Sequence, residues 1–352
     1  MFASMISRKL WVGLALAVLV ISGGWLLRGG VGQDLSAAGQ AFVATLTPEQ
    51  KAIAVKAYDD PLRIEWHFIP KPLQDFPERE GLQVKHMNDQ QRKAARVLLQ
   101  AGLSNLGYQK AETIMSLEGL LHELEKSKEN PLIRDPERYY YTIFGQPSPK
   151  GTWGLSIEGH HLSLNFVVTD GEIAASTPTF FGANPATVKS GLDFGPKPGT
   201  RVLAPEEEAG FALLALLTPA QKKTAMIDEK APADIRAAGE PQSPATVPEG
   251  LSAAEMNEEQ VAALWELLDA YCSNVRQEVG EARLDAITEA GIQKVHFAWA
   301  GASEPGIGHY YRVQGPTFCI EFVNVQPDAE GNVANHIHSV WRDMGRDFAL
   351  DR

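Results

Sequence analysis

Cysteine is scarce in this sequence: only Cys272 and Cys319 occur among 352 residues. That excludes a disulfide framework and any cysteine-rich zinc module. The pair could still form one bridge, but two buried free thiols is the simpler expectation. Basic charge is also short, with 32 lysines and arginines against 44 aspartates and glutamates and a net charge of −12. No basic block follows the first thirty residues, so phosphate binding driven by counterion release has no footing and nucleic acid is excluded as an expected partner. Nucleophile signatures are missing too. There is no G-x-S-x-G elbow, and neither cysteine has neighbours that would lower its pKa. Residues Gly191 to Thr200 lack the Gly-Lys-Ser/Thr ending of a phosphate loop, and two prolines remove backbone donors there. Lys189, Lys197 and Arg201 still leave this loop locally basic and able to close over an anionic ligand.

What is present is a globular composition, 44% hydrophobic and 22% charged, behind one apolar leader. The uncharged run from Leu10 to Leu27 follows Arg8-Lys9 and ends at Arg28. At a rise of about 1.5 Å per residue it is near the shortest helix able to cross a bilayer. The positive flank should stay cytoplasmic and send the rest of the chain outward. An uncleaved single-span anchor is favoured because Trp25-Leu26-Leu27 extends the run. A signal peptide cleaved near Ser22-Gly23-Gly24, leaving a secreted or periplasmic protein, is the alternative.

Comparing the chain with itself is more informative. Leu46-Thr47-Pro48-Glu49-Gln50-Lys51 recurs as Leu217-Thr218-Pro219-Ala220-Gln221-Lys222. At a constant separation of 169 residues, Glu80-Gly81-Leu82, Met87-Asn88, Gln91 and Leu98-Leu99 recur as Glu249-Gly250-Leu251, Met256-Asn257, Gln260 and Leu267-Leu268. The shared residues are helix starts: Thr or Asn at the N-cap, Pro at the first helical position, and Gln three residues on to reach back. Helices over about Ala111 to Lys126 and Glu278 to Ala290 follow in the two halves. Each half then alternates. Strands are expected at Tyr139 to Phe144, Thr152 to Ile157, His161 to Val168 and Glu172 to Phe180. In the second half they are expected at Val295 to Ala300, His309 to Gln314, Thr317 to Val325 and Val333 to Trp341. Pro178 should make the end of the fourth strand irregular.

The expected fold is therefore α+β. Two tandem copies of a helical segment, each followed by a four-stranded antiparallel meander, would form a pseudo-two-fold dimer after an N-terminal hydrophobic helix. The implied divisions are 1–40 for the anchor or signal peptide and its tether, 41–184 for the first repeat, 185–210 for a Gly/Pro-rich linker and 211–348 for the second repeat.

Strand alternation then sorts the side chains. Leu162, Leu164, Phe166, Phe318, Ile320 and Phe322 should face the helices. The opposite face would carry His161 and Glu158 in the first copy, and His296, Arg312, Glu321, His336 and His338 in the second. His-x-His on one strand puts two imidazoles on one side, and a carboxylate such as Glu321 could complete a site for a divalent metal, zinc or iron. His161 or His296 would be a further ligand, Arg312 would orient an anionic small molecule, and Glu158 joins Arg312 as a catalytic candidate. His160 and His161, as adjacent turn residues, should point apart, so that only one serves the ion. Such a site, in a cleft between the polar sheet faces of the two copies, points to metal-dependent hydrolysis; the competing reading is a non-catalytic envelope module that binds a ligand or partner in the same cleft, its histidines only hydrogen-bonded.

Four stretches also resemble a known family. They are Glu158-Gly159-His160-His161-Leu162-Ser163-Leu164-Asn165-Phe166, the run from Pro178 to Pro185 (Pro-Thr-Phe-Phe-Gly-Ala-Asn-Pro), His309-Tyr310-Tyr311-Arg312 and Asn335-His336-Ile337-His338. Together they are similar to the family catalogued as domain of unknown function 3500, over about Phe42 to Phe348. The resemblance implies an exported or envelope-associated bacterial type of protein and carries no reaction with it.

Overall fold

A computed structural model describes residues 30–70, 79–128 and 133–350. The hydrophobic leader and its flanking charges lie outside the described residues. Among the described residues no helix is long and apolar enough to cross a membrane.

The architecture of the described residues is mixed α+β, with eight α-helices packed on one large mixed sheet of thirteen strands. The first part of the chain contributes α1 (Val31–Thr45), α2 (Pro48–Ala54), β1 (Val55–Lys56), β2 (Leu82–Gln83), α3 (Asp89–Gly102) and α4 (Asn105–Glu125). Strands β3 (Tyr140–Phe144), β4 (Thr152–Gly159), β5 (Leu162–Thr169), β6 (Glu172–Ala175) and β7 (Thr179–Ala183) follow. The second part contributes α5 (Ala204–Leu216), α6 (Pro219–Ala225), β8 (Met226–Asp228), β9 (Leu251–Ser252), α7 (Glu258–Cys272) and α8 (Gln277–Ala290). It ends with β10 (His296–Gly301), β11 (His309–Gln314), β12 (Phe318–Asn324) and β13 (Ile337–Asp343). Gln33 to Gln40, placed with the tether from the sequence, instead lie in α1, whose Val31, Leu35, Ala38 and Phe42 are buried in the core.

The four helix starts have a common construction. Thr47 with Gln50, Asn88 with Gln91, Thr218 with Gln221 and Asn257 with Gln260 all form reciprocal capping boxes. Their glutamines do a second job. Gln50 Nε2 donates to the His86 carbonyl at 2.9 Å and Gln91 Nε2 to the Thr45 carbonyl at 2.9 Å. Gln221 Nε2 donates to the Glu255 carbonyl at 2.8 Å, and Gln260 Nε2 to the Leu216 carbonyl at 2.9 Å. In each half a pair of side-chain amides thus ties the end of one helix to the starts of the next two.

Strands β3, β4, β5 and β7 are antiparallel neighbours, as are β10 to β13, and the sheet order β3-β4-β5-β7-β13-β12-β11-β10 makes them continuous. The seam is β7 against β13, with Ala183 opposite Ile337, Phe181 opposite Ser339 and Thr179 opposite Trp341. The two meanders thus join edge to edge and do not place their polar faces around a cleft between the copies. The strand expected over Glu172 to Phe180 is split into β6 and β7 around Pro178, which has no N–H for a ladder.

Leu162, Leu164, Phe166, Phe318, Ile320 and Phe322 all lie in the core shared with the helices. The opposite face is not an open polar surface. Trp66 and Phe68, Ala231 and Ile235, and Phe348 close over it and meet Phe180, Tyr310, Val323 and Val340 in a second apolar cluster. Trp66 Nε1 donates to the Glu240 carbonyl at 2.9 Å, which joins two of these covering segments. Ala231 and Ile235, in the segment joining β8 to β9, are thereby packed on the sheet.

Truncating Gln91 or Gln260 to alanine should cost about 1–2 kcal/mol, because each is 1% exposed and supports both a capping box and a carbonyl at the end of the preceding helix. Urea unfolding of each variant against the parent measures this. Alanine at the exposed N-cap Thr47 should cost no more than about 1 kcal/mol by the same measurement.

Candidate metal centre

The register of β4 on β5 pairs Gly159 with Leu162 and leaves His160-His161 as a two-residue turn. His161 closes that turn at φ +62°, the left-handed region where a residue with a Cβ is strained. Its backbone is held from both sides: His161 N donates to the Phe68 carbonyl at 3.0 Å, and Gly182 N donates to the His161 carbonyl at 2.8 Å. Gly182 also makes room for the ring, since a Cβ there would stand 2.8 Å from His161 Cδ2. Across the seam Gly182 is opposite His338, and His336 lies just ahead of β13 with its N–H donated to Asn324 Oδ1 at 3.0 Å.

These constraints bring three imidazoles to one point. His161 Nε2 is 2.8 Å from His336 Nε2 and 3.3 Å from His338 Nε2, and the latter two are 3.1 Å apart. His161 and His338 are buried and His336 is partly exposed. Each Nε2 has one in-plane position, either an N–H or a lone pair. Three such atoms in mutual contact therefore cannot all be satisfied by each other. A cation at their centre does satisfy them. Nitrogens about 2.1 Å from one ion stand roughly 3.0 Å apart at right angles and roughly 3.4 Å apart in a tetrahedron. The observed sides of 2.8–3.3 Å lie close to these values, so this group could hold a metal ion. Burial, reinforced by the neighbouring imidazoles, pushes the pKa of His161 and His336 well below the ordinary histidine value. Both rings are thus kept in the neutral form that ligates.

The far sides of the rings are also held. Asp234 Oδ1 lies 2.7 Å from His338 Nδ1, the carboxylate–histidine arrangement that fixes a ligand's tautomer and leaves Nε2 for the ion. The Asn184 amide meets His336 Nδ1 at 3.3 Å while its Oδ1 has no partner. Turning that amide over puts Oδ1 on the ring N–H and orients His336 in the same way. Phe68 packs beneath His338 with ring centres 4.6 Å apart and itself stacks on Phe180 at 3.9 Å. His160 stacks on His161 at 3.7 Å, but its Nδ1 is bonded to Glu118, and Arg134 Nη1 lies 3.1 Å from the same atom.

The other residues singled out from the sequence lie elsewhere. Glu321 is two positions along β12 from Val323, the partner of His338, a separation of about 7 Å along the strand. Its Oε1 instead accepts from Tyr310 Oη at 2.5 Å and from the Arg236 N–H at 3.3 Å. His296 is on β10, three strands from β13, or about 14 Å, and pairs with the Lys294 carbonyl. Arg312 is spent on Cys319 Sγ at 3.2 Å and Thr246 Oγ1 at 2.8 Å. Glu158 accepts from Ser163 Oγ at 2.8 Å in a separate pocket with Arg79 and His67. Cys272 and Cys319 are both free and buried, and burial pushes each thiol up to about 12.

Asp234 and Asn184 have no counterpart among the sequence candidates. Asn184 stands in one of the quoted motifs, whereas Asp234 lies in an aperiodic stretch with no signal of its own. A family model described as "Protein of unknown function (DUF3500)" matches residues 29–350. No curated protein and no solved structure matches the chain.

Burial raises Glu158 to about 7, against the pull of Arg79. A carboxyl raised on folding stabilises in its protonated form. Its contribution is complete below about pH 4.5 and declines as pH rises toward 7. Glu158→Gln should remove this component, so the stability difference between variant and parent grows in the variant's favour from pH 5 to pH 8 in urea unfolding.

Proposed function

The chain belongs to the DUF3500 family, which supplies no reaction, and from that starting point we propose that it is a zinc protein with His161, His336 and His338 as ligands. One observation carries the reading: three Nε2 atoms converge within 2.8–3.3 Å with no carboxylate among them. An all-imidazole set favours zinc or a neighbouring transition metal over magnesium or calcium, which need oxygen donors. Asp234 and Asn184 orient two of the ligands. The partly exposed edge of His336 leaves a direction from which a fourth ligand can approach.

A zinc ion held by three histidines acts as a Lewis acid toward a bound carbonyl or phosphoryl group, so we assign the chemistry to metal-dependent hydrolysis. The residues around it hold the ligands neutral, exclude water from the Phe68 side and keep the ring geometry fixed. The doubled order of helices and strands, with its four matching caps, supports an origin by duplication. On this view only the second copy kept imidazoles at 336 and 338, where the first has Ser176 and Pro178. The apolar leader supports a working location outside the cytoplasm, either tethered or released.

Elemental analysis of the full chain, purified without a histidine tag, should find about one zinc per molecule. His336→Ala and His338→Ala should lose it, and Asp234→Ala should weaken zinc binding by about 10–100-fold. A metal-free protein whose unfolding midpoint is unchanged by added zinc would overturn the assignment. If zinc is bound, a panel of carboxylic and phosphoric esters tests the hydrolytic part, with His338→Ala as the inactive control.

A further inference from the structure

At the other end of the β7–β13 seam from the histidines, a cavity of about 390 Å³ opens between α8, β6 and the ends of β12 and β13. Val279, Ile173, Phe318 and Trp341 give it an apolar wall. Among the described residues Arg283 is the one cation lining it. All of that guanidinium's hydrogen bonds to described residues come from Nη2 and go to neutral oxygens: the Ser176 carbonyl at 3.1 Å, Ser176 Oγ at 2.9 Å and Thr179 Oγ1 at 3.2 Å. Its central carbon stands 4.8 Å from the Trp341 ring centre. Beside it Thr177 is 4% exposed, and its Oγ1 has no partner. The half-buried carboxyl of Asp343 lines the same space and makes no hydrogen bond or ion pair with any described residue. Two further acids, Glu172 and Glu278, are exposed lining residues.

Arg283 and Asp343 feel one another's charge across the cavity but close no ion pair. Arg283 disfavours a simple organic cation, and the three carboxylates disfavour a simple anion. A molecule carrying both charges satisfies both sets, and the apolar wall asks for a hydrocarbon body. We propose that this cavity binds a small aliphatic α-amino acid, with its carboxylate on Arg283 and the Thr177 hydroxyl, its ammonium toward Asp343 and its side chain against Val279 and Ile173. The site is separate from the histidine centre and independent of the reaction assigned there.

Titration calorimetry on the full chain tests this with three probes: leucine, 4-methylpentanoate (which lacks the amino group) and 3-methylbutylamine (which lacks the carboxylate). Leucine should bind with one-to-one stoichiometry and at least tenfold more tightly than either half-molecule. Arg283→Met should weaken leucine at least tenfold. Ala286→Phe, which fills the cavity from α8 and leaves its charged groups in place, should abolish binding while the thermal unfolding midpoint is retained. It carries the test if the arginine variant fails to fold. No binding of leucine to the parent protein overturns the proposal, as does leucine binding unaffected by Ala286→Phe. Equal affinity for leucine and 4-methylpentanoate overturns the amino-acid assignment.

Discussion

The pairing of β7 with β13 is the constraint on which the rest of the molecule depends. It turns two helix-backed sets of strands into one sheet, and its register sets Gly182 opposite His338. From that single pairing follow the gap into which the His161 ring fits and the approach of three Nε2 atoms. The cavity at the opposite end has the same origin, because β6 stops short of the seam that β7 continues. A slip of one residue would send His338 to the helix face and a neighbouring apolar side chain into its place.

Helix caps and strand alternation were the most legible features, because both are local. Thr-Pro-x-Gln and Asn-x-x-Gln carry their own hydrogen-bond partners within four residues, and all four form as the pattern implies. Leu162, Leu164 and Phe166 likewise declare their face by period alone. What alternation could not reveal was how the far face would be covered. Glu321 and Arg312 share the far side of the sheet with His338, so parity grouped them. The distance between strands, and the segments carrying Thr246 and Arg236, give them other partners. The histidines at 161, 336 and 338 were recoverable because a turn and an x-spaced pair both placed rings at strand ends, where neighbouring strands start and stop together.

Burial of both sheet faces also explains how much polar chemistry this protein keeps out of water. Lys110 with Glu206, Arg134 with Glu125 and Arg342 with Asp347 are paired charges at or below 9% side-chain exposure. Removing one partner of such a pair leaves the other charged and desolvated, which costs far more than the pair contributes. Their value here is geometric. Arg342 fastens the C-terminal turn and, through the Glu240 carbonyl at 2.8 Å, the segment that also carries Asp234. The carboxylate beside His338 is thus anchored several residues away by a buried guanidinium.

His161 and His336 touch although 175 residues separate them in the chain. Contacts of such long range form late in folding, after the loop between them has been closed by other interactions. Neither half of the chain can assemble this trio by itself, so a nascent or partly threaded polypeptide holds only fragments of it. An ion captured there would therefore be acquired only once both halves have met, and it would pin the first half to the second as a non-covalent staple.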